Sequence, residues 1–283
     1  MIVGQAHREA IRRISGWTPE SFRVVRGGYT PAARYLVRNG KQQAFVKIAT
    51  TLHTANLLRR EIVAYRSLPE GTRPRLLGYD AESVNPILVI EDLSEAIWPP
   101  PWTDDRVSAA LAAIEDLHGM RAELPTFDAV HGVDVRGWTC VQADPTPFLA
   151  LGLASADWLA RALPALIEAE NACPTAGLSP THWDLRSDNM CFLSGTVKLV
   201  DWAEACLSNP KLDMGFWLPS LAHEGGPPPE AILPDAPEVA AWVSGYFAAR
   251  AGLANIPDAP FVRRVQREQL MTALPWVKRA LRL

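Results

Sequence analysis

His182-Trp183-Asp184-Leu185-Arg186-Ser187-Asp188-Asn189, with Leu199-Val200-Asp201-Trp202 a short way downstream, decides how this chain is read. A carboxylate stands five residues before a carboxamide, and a second carboxylate closes the apolar run that follows. Taken singly each is ordinary, since a lone aspartate or asparagine is most often a turn former. Taken in order, they supply one group able to accept or orient a proton, Asp184, and two oxygen donors of the kind hard cations prefer, Asn189 and Asp201. His182 is placed to pack and hydrogen-bond within the loop, holding it in shape.

Toward the N-terminus, a short amphipathic helix over 5–15 precedes three strand candidates at 22–26, 34–38 and 43–48. Gly27-Gly28 separates the first two, and Asn39-Gly40, a strong hairpin signal, the second two. Residues 54–68 carry a helical stripe of Leu57, Leu58, Ile62 and Tyr65. A strand near 75–79 and the dense apolar run Ile87-Leu88-Val89-Ile90 follow. The stiff segment Trp98-Pro99-Pro100-Pro101-Trp102 cannot be a helix interior. Beyond it the spacing predicts helices over 104–120, 155–171, 211–222, 237–251 and 260–281, with two short strands within 190–201. Strands first and mostly helices later describe an α+β protein, with a sheet-rich part over 1–92 and a larger helical part over 93–283.

The 283 residues suffice for a sizeable core, and 48% hydrophobic with 21% charged residues is the make-up of an ordinary folded protein. A formal net charge of -3 gives no electrostatic basis for binding nucleic acid. The basic run Arg263, Arg264, Arg267, Lys278, Arg279 and Arg282 is interleaved with apolar residues at helical spacing and reads as a solvated helix face. Cys140, Cys173, Cys191 and Cys206 show neither C-x-x-C nor zinc-site spacing, so free thiols are expected. No run is apolar enough for a signal peptide or a membrane span, which predicts a cytoplasmic protein without a membrane partner. His223-Glu224 lacks the second histidine of a zinc-protease helix, and no G-x-S-x-G elbow occurs.

Phosphoryl transfer needs a held nucleotide, magnesium, an oriented nucleophile and charge to stabilise the moving group. The run from His182 to Asp201 resembles the catalytic loop of the protein-kinase-like superfamily, and more closely that of its aminoglycoside phosphotransferase branch. Trp183 stands where protein kinases carry arginine, Asp201 is followed by Trp202-Ala203, and no A-P-E segment follows. The resemblance implies a bilobal protein-kinase-like fold, a small β-rich N-terminal lobe and a larger, mainly helical C-terminal lobe.

On the matching positions it also implies roles. Lys47, one of only five lysines, would contact nucleotide phosphates from the third strand, with Glu61 on the next helix orienting it. Gly28 and Thr30, in Gly27-Gly28-Tyr29-Thr30-Pro31, would cover the phosphates. The hinge-like run Ile87-Leu88-Val89-Ile90-Glu91-Asp92-Leu93 would hold adenine through backbone groups near Glu91 and Leu93. Asp184 would act as base, Arg186 would neutralise charge on the transferring group, Asn189 and Asp201 would ligate magnesium, and Asp213 would buttress the loop.

The expected activity is therefore transfer of the γ-phosphoryl group of ATP, or of GTP, with Mg2+, to a hydroxyl of a small molecule such as an aminoglycoside or other antibiotic. A kinase of a choline- or homoserine-like metabolite and a non-catalytic nucleotide-binding module are the alternatives. Acidic residues Asp188, Glu204 and Glu224 are candidates to attract a cationic acceptor, each read singly as a solvated loop residue.

Overall fold

A computed structural model of the chain describes residues 5–27, 30–132, 136–257 and 259–283. They form two compact units: Met1–Trp98 with Met120–Leu124 and Asp188–Ala205, and Pro99–Gly119 with Pro125–Ser187 and Cys206–Leu283.

The first unit opens with α1 (Gln5–Ser15), β1 (Ser21–Val24), β2 (Ala33–Asn39) and β3 (Gln42–Ile48), then α2 (Leu52–Ser67), β4 (Leu76–Asp80) and β5 (Ile87–Ile90). The strands make an antiparallel sheet in the order β1-β2-β3-β5-β4. Asn39 pairs with Gln42, so the turn is Gly40-Lys41, one residue later than an Asn39-Gly40 loop. Gly40 sits at φ +53, a left-handed value that costs glycine nothing sterically. Along β3 the side chains alternate. Ala44, Val46 and Ile48 join Ile11, Tyr35, Val37, Ile87 and Val89 in a core against α1, which turns Phe45 and Lys47 to the opposite face. Thr51 and Thr54 close a capping box at the start of α2.

The second unit begins with α3 (Asp104–Gly119), followed by the short helices α4 (Phe127–His131), α5 (Gly137–Ala143) and α6 (Thr146–Leu149). Then come α7 (Ala156–Ala172) and β6 (Ser179–Thr181). The hairpin of β7 (Met190–Leu193) and β8 (Thr196–Leu199) belongs to the first unit, where Leu199 N–H donates to the Thr72 carbonyl at 2.7 Å. After it, β9 (Cys206–Ser208) pairs with β6, and α8 (Pro210–His223), α9 (Pro229–Ile232), α10 (Pro237–Ala251) and α11 (Val262–Leu281) complete the chain. Buried residues surround α10 on nearly every side, the pattern of a central helix. Its Gly245 leaves room for Glu170 and Trp138, which a Cβ would strike.

Trp138 is fully buried in α5, a helix too short to carry a periodic signal in the sequence. Its indole N–H donates to the Ala241 carbonyl at 3.0 Å. The basic face of α11 is occupied locally: Arg279 forks onto Glu230 at 2.6 and 3.1 Å, and Lys278 lies 4.2 Å from the Trp158 ring centre. All four cysteines are free thiols, Cys140 exposed and the others buried. Among the described residues no helix is long and apolar enough to cross a membrane.

Candidate active site

From the sheet face opposite the α1 core, Lys47 Nζ donates to Glu61 Oε2 at 2.6 Å and to Asp201 Oδ1 at 2.9 Å. Lys47 and Glu61 are only 8% and 2% exposed, so this ammonium is compensated almost wholly by protein groups. Burial alone would lower the Lys47 pKa, but the charges of Asp201 and Glu61 outweigh it and hold the value above its ordinary position. Burial raises the Glu61 carboxyl against the pull of Lys47, with Asp201 adding to the rise. The two directions agree physically: with two carboxylates around one ammonium, the single cation is favoured and the deeper anion is not. Asp201 adopts a left-handed conformation, φ 64 and ψ 60, uncommon outside glycine but one that aspartate enters more readily than most residues. The chain then closes against α2, where Arg60 Nη2 donates to Glu204 Oε1 at 3.0 Å.

Met190 pairs with Leu199 in the β7–β8 hairpin, and Val200 N–H donates to the Asn189 carbonyl at 2.9 Å. Asn189 and Asp201 therefore leave the same end of one hairpin. A carboxamide and a carboxylate are two oxygen donors, a set that suits magnesium, which keeps waters and substrate phosphates as its remaining ligands. No cluster of three or more His, Cys, Asp or Glu able to hold a metal by itself occurs among the described residues. At the strand end, Glu91 N–H donates to the Arg75 carbonyl and the Leu93 carbonyl accepts from Ala96, each at 3.0 Å. The Thr30 hydroxyl accepts from Arg34 at 3.2 Å. Gly28 lies outside the described residues.

In the second unit the backbone of the loop at His182 and Trp183 is fixed from α8. Asp213, fully buried, accepts the N–H of Trp183 at 2.7 Å and of His182 at 3.0 Å, and meets His118 Nε2 at 2.9 Å. Burial would raise its pKa, but the hydrogen bond and charge of His118 and the N–H of His182 bring it below the ordinary value. Trp183 is held at φ 62, a rare conformation for a bulky residue. Its ring packs on Phe127 at 4.8 Å and Phe216 at 5.2 Å, and its N–H donates to Ser208 Oγ at 2.7 Å. The next residue, Asp184, has a 35% exposed side chain, and Arg186 faces both its oxygens at 3.3 and 3.4 Å.

The profile of the phosphotransferase enzyme family matches residues 21–254. The chain belongs to that family. It is a phosphotransferase. No curated protein matches the sequence significantly. Among solved structures, a variant of the aminoglycoside phosphotransferase APH(4)-Ia, in ternary complex with AMP-PNP and hygromycin B, matches at 13% identity and TM-score 0.60 over 99% of this chain and 98% of its own. The choline kinase LicA from Streptococcus pneumoniae matches at 14% identity and TM-score 0.61 over 94% and 98%. Spectinomycin phosphotransferase APH(9)-Ia, with ADP and spectinomycin, matches at 12% identity and TM-score 0.56 over 100% and 99%. At such identities the likeness establishes the fold, the protein-kinase-like α+β fold expected from the sequence.

Several residues of this phosphotransferase escape sequence reading. Glu204 is not a solvated loop carboxylate but the partner of Arg60. Glu224 is likewise engaged: Ser187 Oγ donates to one oxygen at 2.6 Å and the Trp102 indole N–H to the other at 2.8 Å. His118 carries no motif, and only the fold brings it to Asp213.

Proposed function

We propose that this phosphotransferase moves the γ-phosphoryl group of ATP, or of GTP, onto a hydroxyl of a small molecule, with Mg2+ as cofactor. The observation that carries the reading is the buried Lys47, bonded at once to Glu61 and to Asp201. An ammonium so fixed is a ready point charge for nucleotide phosphates. Adenine is assigned to the Glu91 carbonyl and the Leu93 N–H, which take no backbone partner among the described residues. Thr30 and the Gly28 segment are assigned to the phosphates, and Asn189 with Asp201 would hold the metal. Magnesium, when bound, supplies charge that offsets the build-up on the phosphate oxygens.

Asp184 takes the proton of the acceptor hydroxyl as its oxygen bonds the γ-phosphorus, and the P–O bond to the leaving ADP breaks. Arg186, already facing Asp184, orients that carboxylate and offsets charge on the moving group. The acceptor class we infer is an antibiotic, supported by the neighbours solved with hygromycin B and with spectinomycin. The choline kinase neighbour supports a second reading, a small amino alcohol. With ATP as donor, the cytoplasm is the expected place of work.

The test offers the purified protein Mg-ATP or Mg-GTP with hygromycin B, spectinomycin, other hydroxylated antibiotics, choline and homoserine. Products are read by mass for one added phosphoryl group. Metal-dependent phosphorylation of a panel member is the expected result. Nucleotide binding with no acceptor-dependent turnover across the panel would make the chain a binding module and overturn the proposal.

A further inference from the structure

Arg34 lies directly across the sheet from Lys47, in the register that joins β2 to β3. Directly opposed residues of antiparallel strands present their side chains on one face. The Arg34 guanidinium therefore shares the face from which Lys47 reaches Glu61 and Asp201. It also folds back on the segment between β1 and β2. Nη1 donates to the Thr30 carbonyl at 3.2 Å and the Ala32 carbonyl at 3.0 Å, and Nη2 donates to the Thr30 hydroxyl at 3.2 Å. Thr50 holds the same segment from beside α2, its hydroxyl donating to the Pro31 carbonyl at 2.7 Å.

All the acceptors Arg34 meets are neutral, and no carboxylate among the described residues pairs with it. A half-buried guanidinium without a counter-ion is costly unless an anion arrives. Its field already reaches the cluster, where it is one of the influences pulling the Glu61 carboxyl down against burial. Of the five N–H groups on an arginine side chain, these contacts use both on Nη1 and one on Nη2. Among the described residues the Nε N–H and the second Nη2 N–H remain, and they form one edge of the planar fork that matches two phosphate oxygens.

We propose that Arg34 is a second cationic ligand for the phosphate chain of the nucleotide, held beside Lys47 by its bonds to Thr30 and Ala32. The proposal rests on the reading that this sheet face binds a nucleoside triphosphate. It assigns Arg34 a contact that adenosine, which has no phosphate, cannot make.

The test measures dissociation constants for ATP, ADP and adenosine by calorimetry on wild type, Arg34→Met and Arg34→Lys, with circular dichroism confirming folding. Arg34→Met is expected to weaken ATP by about tenfold or more and to leave adenosine within about twofold. Arg34→Lys is expected to recover part of the ATP affinity, since it keeps the charge and loses the fork. If Arg34→Met does not fold, Arg34→Lys carries the comparison, and weakened ATP with unchanged adenosine supports the proposal. Equal weakening of ATP and adenosine would reduce Arg34 to a loop anchor, and unchanged ATP would remove any role; either overturns the inference alone. A wild type that binds ATP no better than adenosine overturns the nucleotide-phosphate reading itself, and the inference with it.

Discussion

Asp213 Oδ1 accepts the backbone N–H of Trp183 at 2.7 Å, so a carboxylate thirty residues downstream fixes the left-handed residue that precedes Asp184. Replacing Asp213 by asparagine keeps one acceptor but turns an amide N–H toward a donor. The expected cost is about 3 kcal/mol in urea denaturation at neutral pH, with a fall in turnover. Because the folded-state pKa is lowered, this stabilisation is fully present above the unfolded carboxylate value and is lost as pH falls through the folded one. The gap between wild type and Asp213→Asn should therefore close in acid, as urea midpoints across a pH series would show.

Lys47→Met would leave Glu61 and Asp201 with no ammonium between them. Removing one partner of a buried pair costs roughly 3–5 kcal/mol. The double variant Lys47→Met/Glu61→Leu should regain much of that loss, because it also removes the stranded anion. Thermal melts of wild type, Lys47→Met, Glu61→Leu and the double variant measure the coupling; strictly additive losses would contradict it.

Ser187 and Trp102 hold both oxygens of Glu224, which ties the loop after Asp184 to the end of α8. Ser187→Ala and Glu224→Leu should each lower kcat while leaving KM for nucleotide unchanged, and Ser187→Ala should cost about 1 kcal/mol of stability. In a double-mutant cycle the effects on kcat should be less than additive. Steady-state kinetics with both substrates varied checks this.

Glu170 is fully buried in α7, where one oxygen accepts the N–H groups of Gly137 at 2.8 Å and Trp138 at 3.0 Å. Burial raises its pKa to about 7, despite the opposing hydrogen bonds from Trp138 and Gly137. Stability from this raised value is fully present below the unfolded pKa and is lost as pH rises through the folded one, on the order of 3 kcal/mol in all. Melting temperature should fall between about pH 5 and pH 8 in wild type and change less in Glu170→Gln.

The parts of the fold legible in the sequence are those whose periodicity runs long enough to register. The stripe of α2, the alternation of β3 and the apolar runs of α7, α8 and α10 each span several turns or pleats. Helices of four to seven residues such as α5 and α6 carry no such signal, which is why Trp138 reads as irregular until α10 packs over it. Lys47, Glu61, Asp184, Asn189 and Asp201 stand out in the sequence because order along the chain reports them, and the structure brings Lys47, Glu61 and Asp201 together. Arg34, Arg60, His118 and Glu224 act through partners in distant or separate elements, so only register and packing reveal them.

Whether Asp184 activates the acceptor hydroxyl for phosphoryl transfer is decided by comparing wild type with Asp184→Asn. The measurement is the rate of acceptor-dependent ADP formation at saturating Mg-ATP, alongside the dissociation constant for ATP. Loss of the base should slow turnover by roughly 10²–10⁴-fold with ATP affinity little changed. A variant that turns over at the wild-type rate would contradict the account.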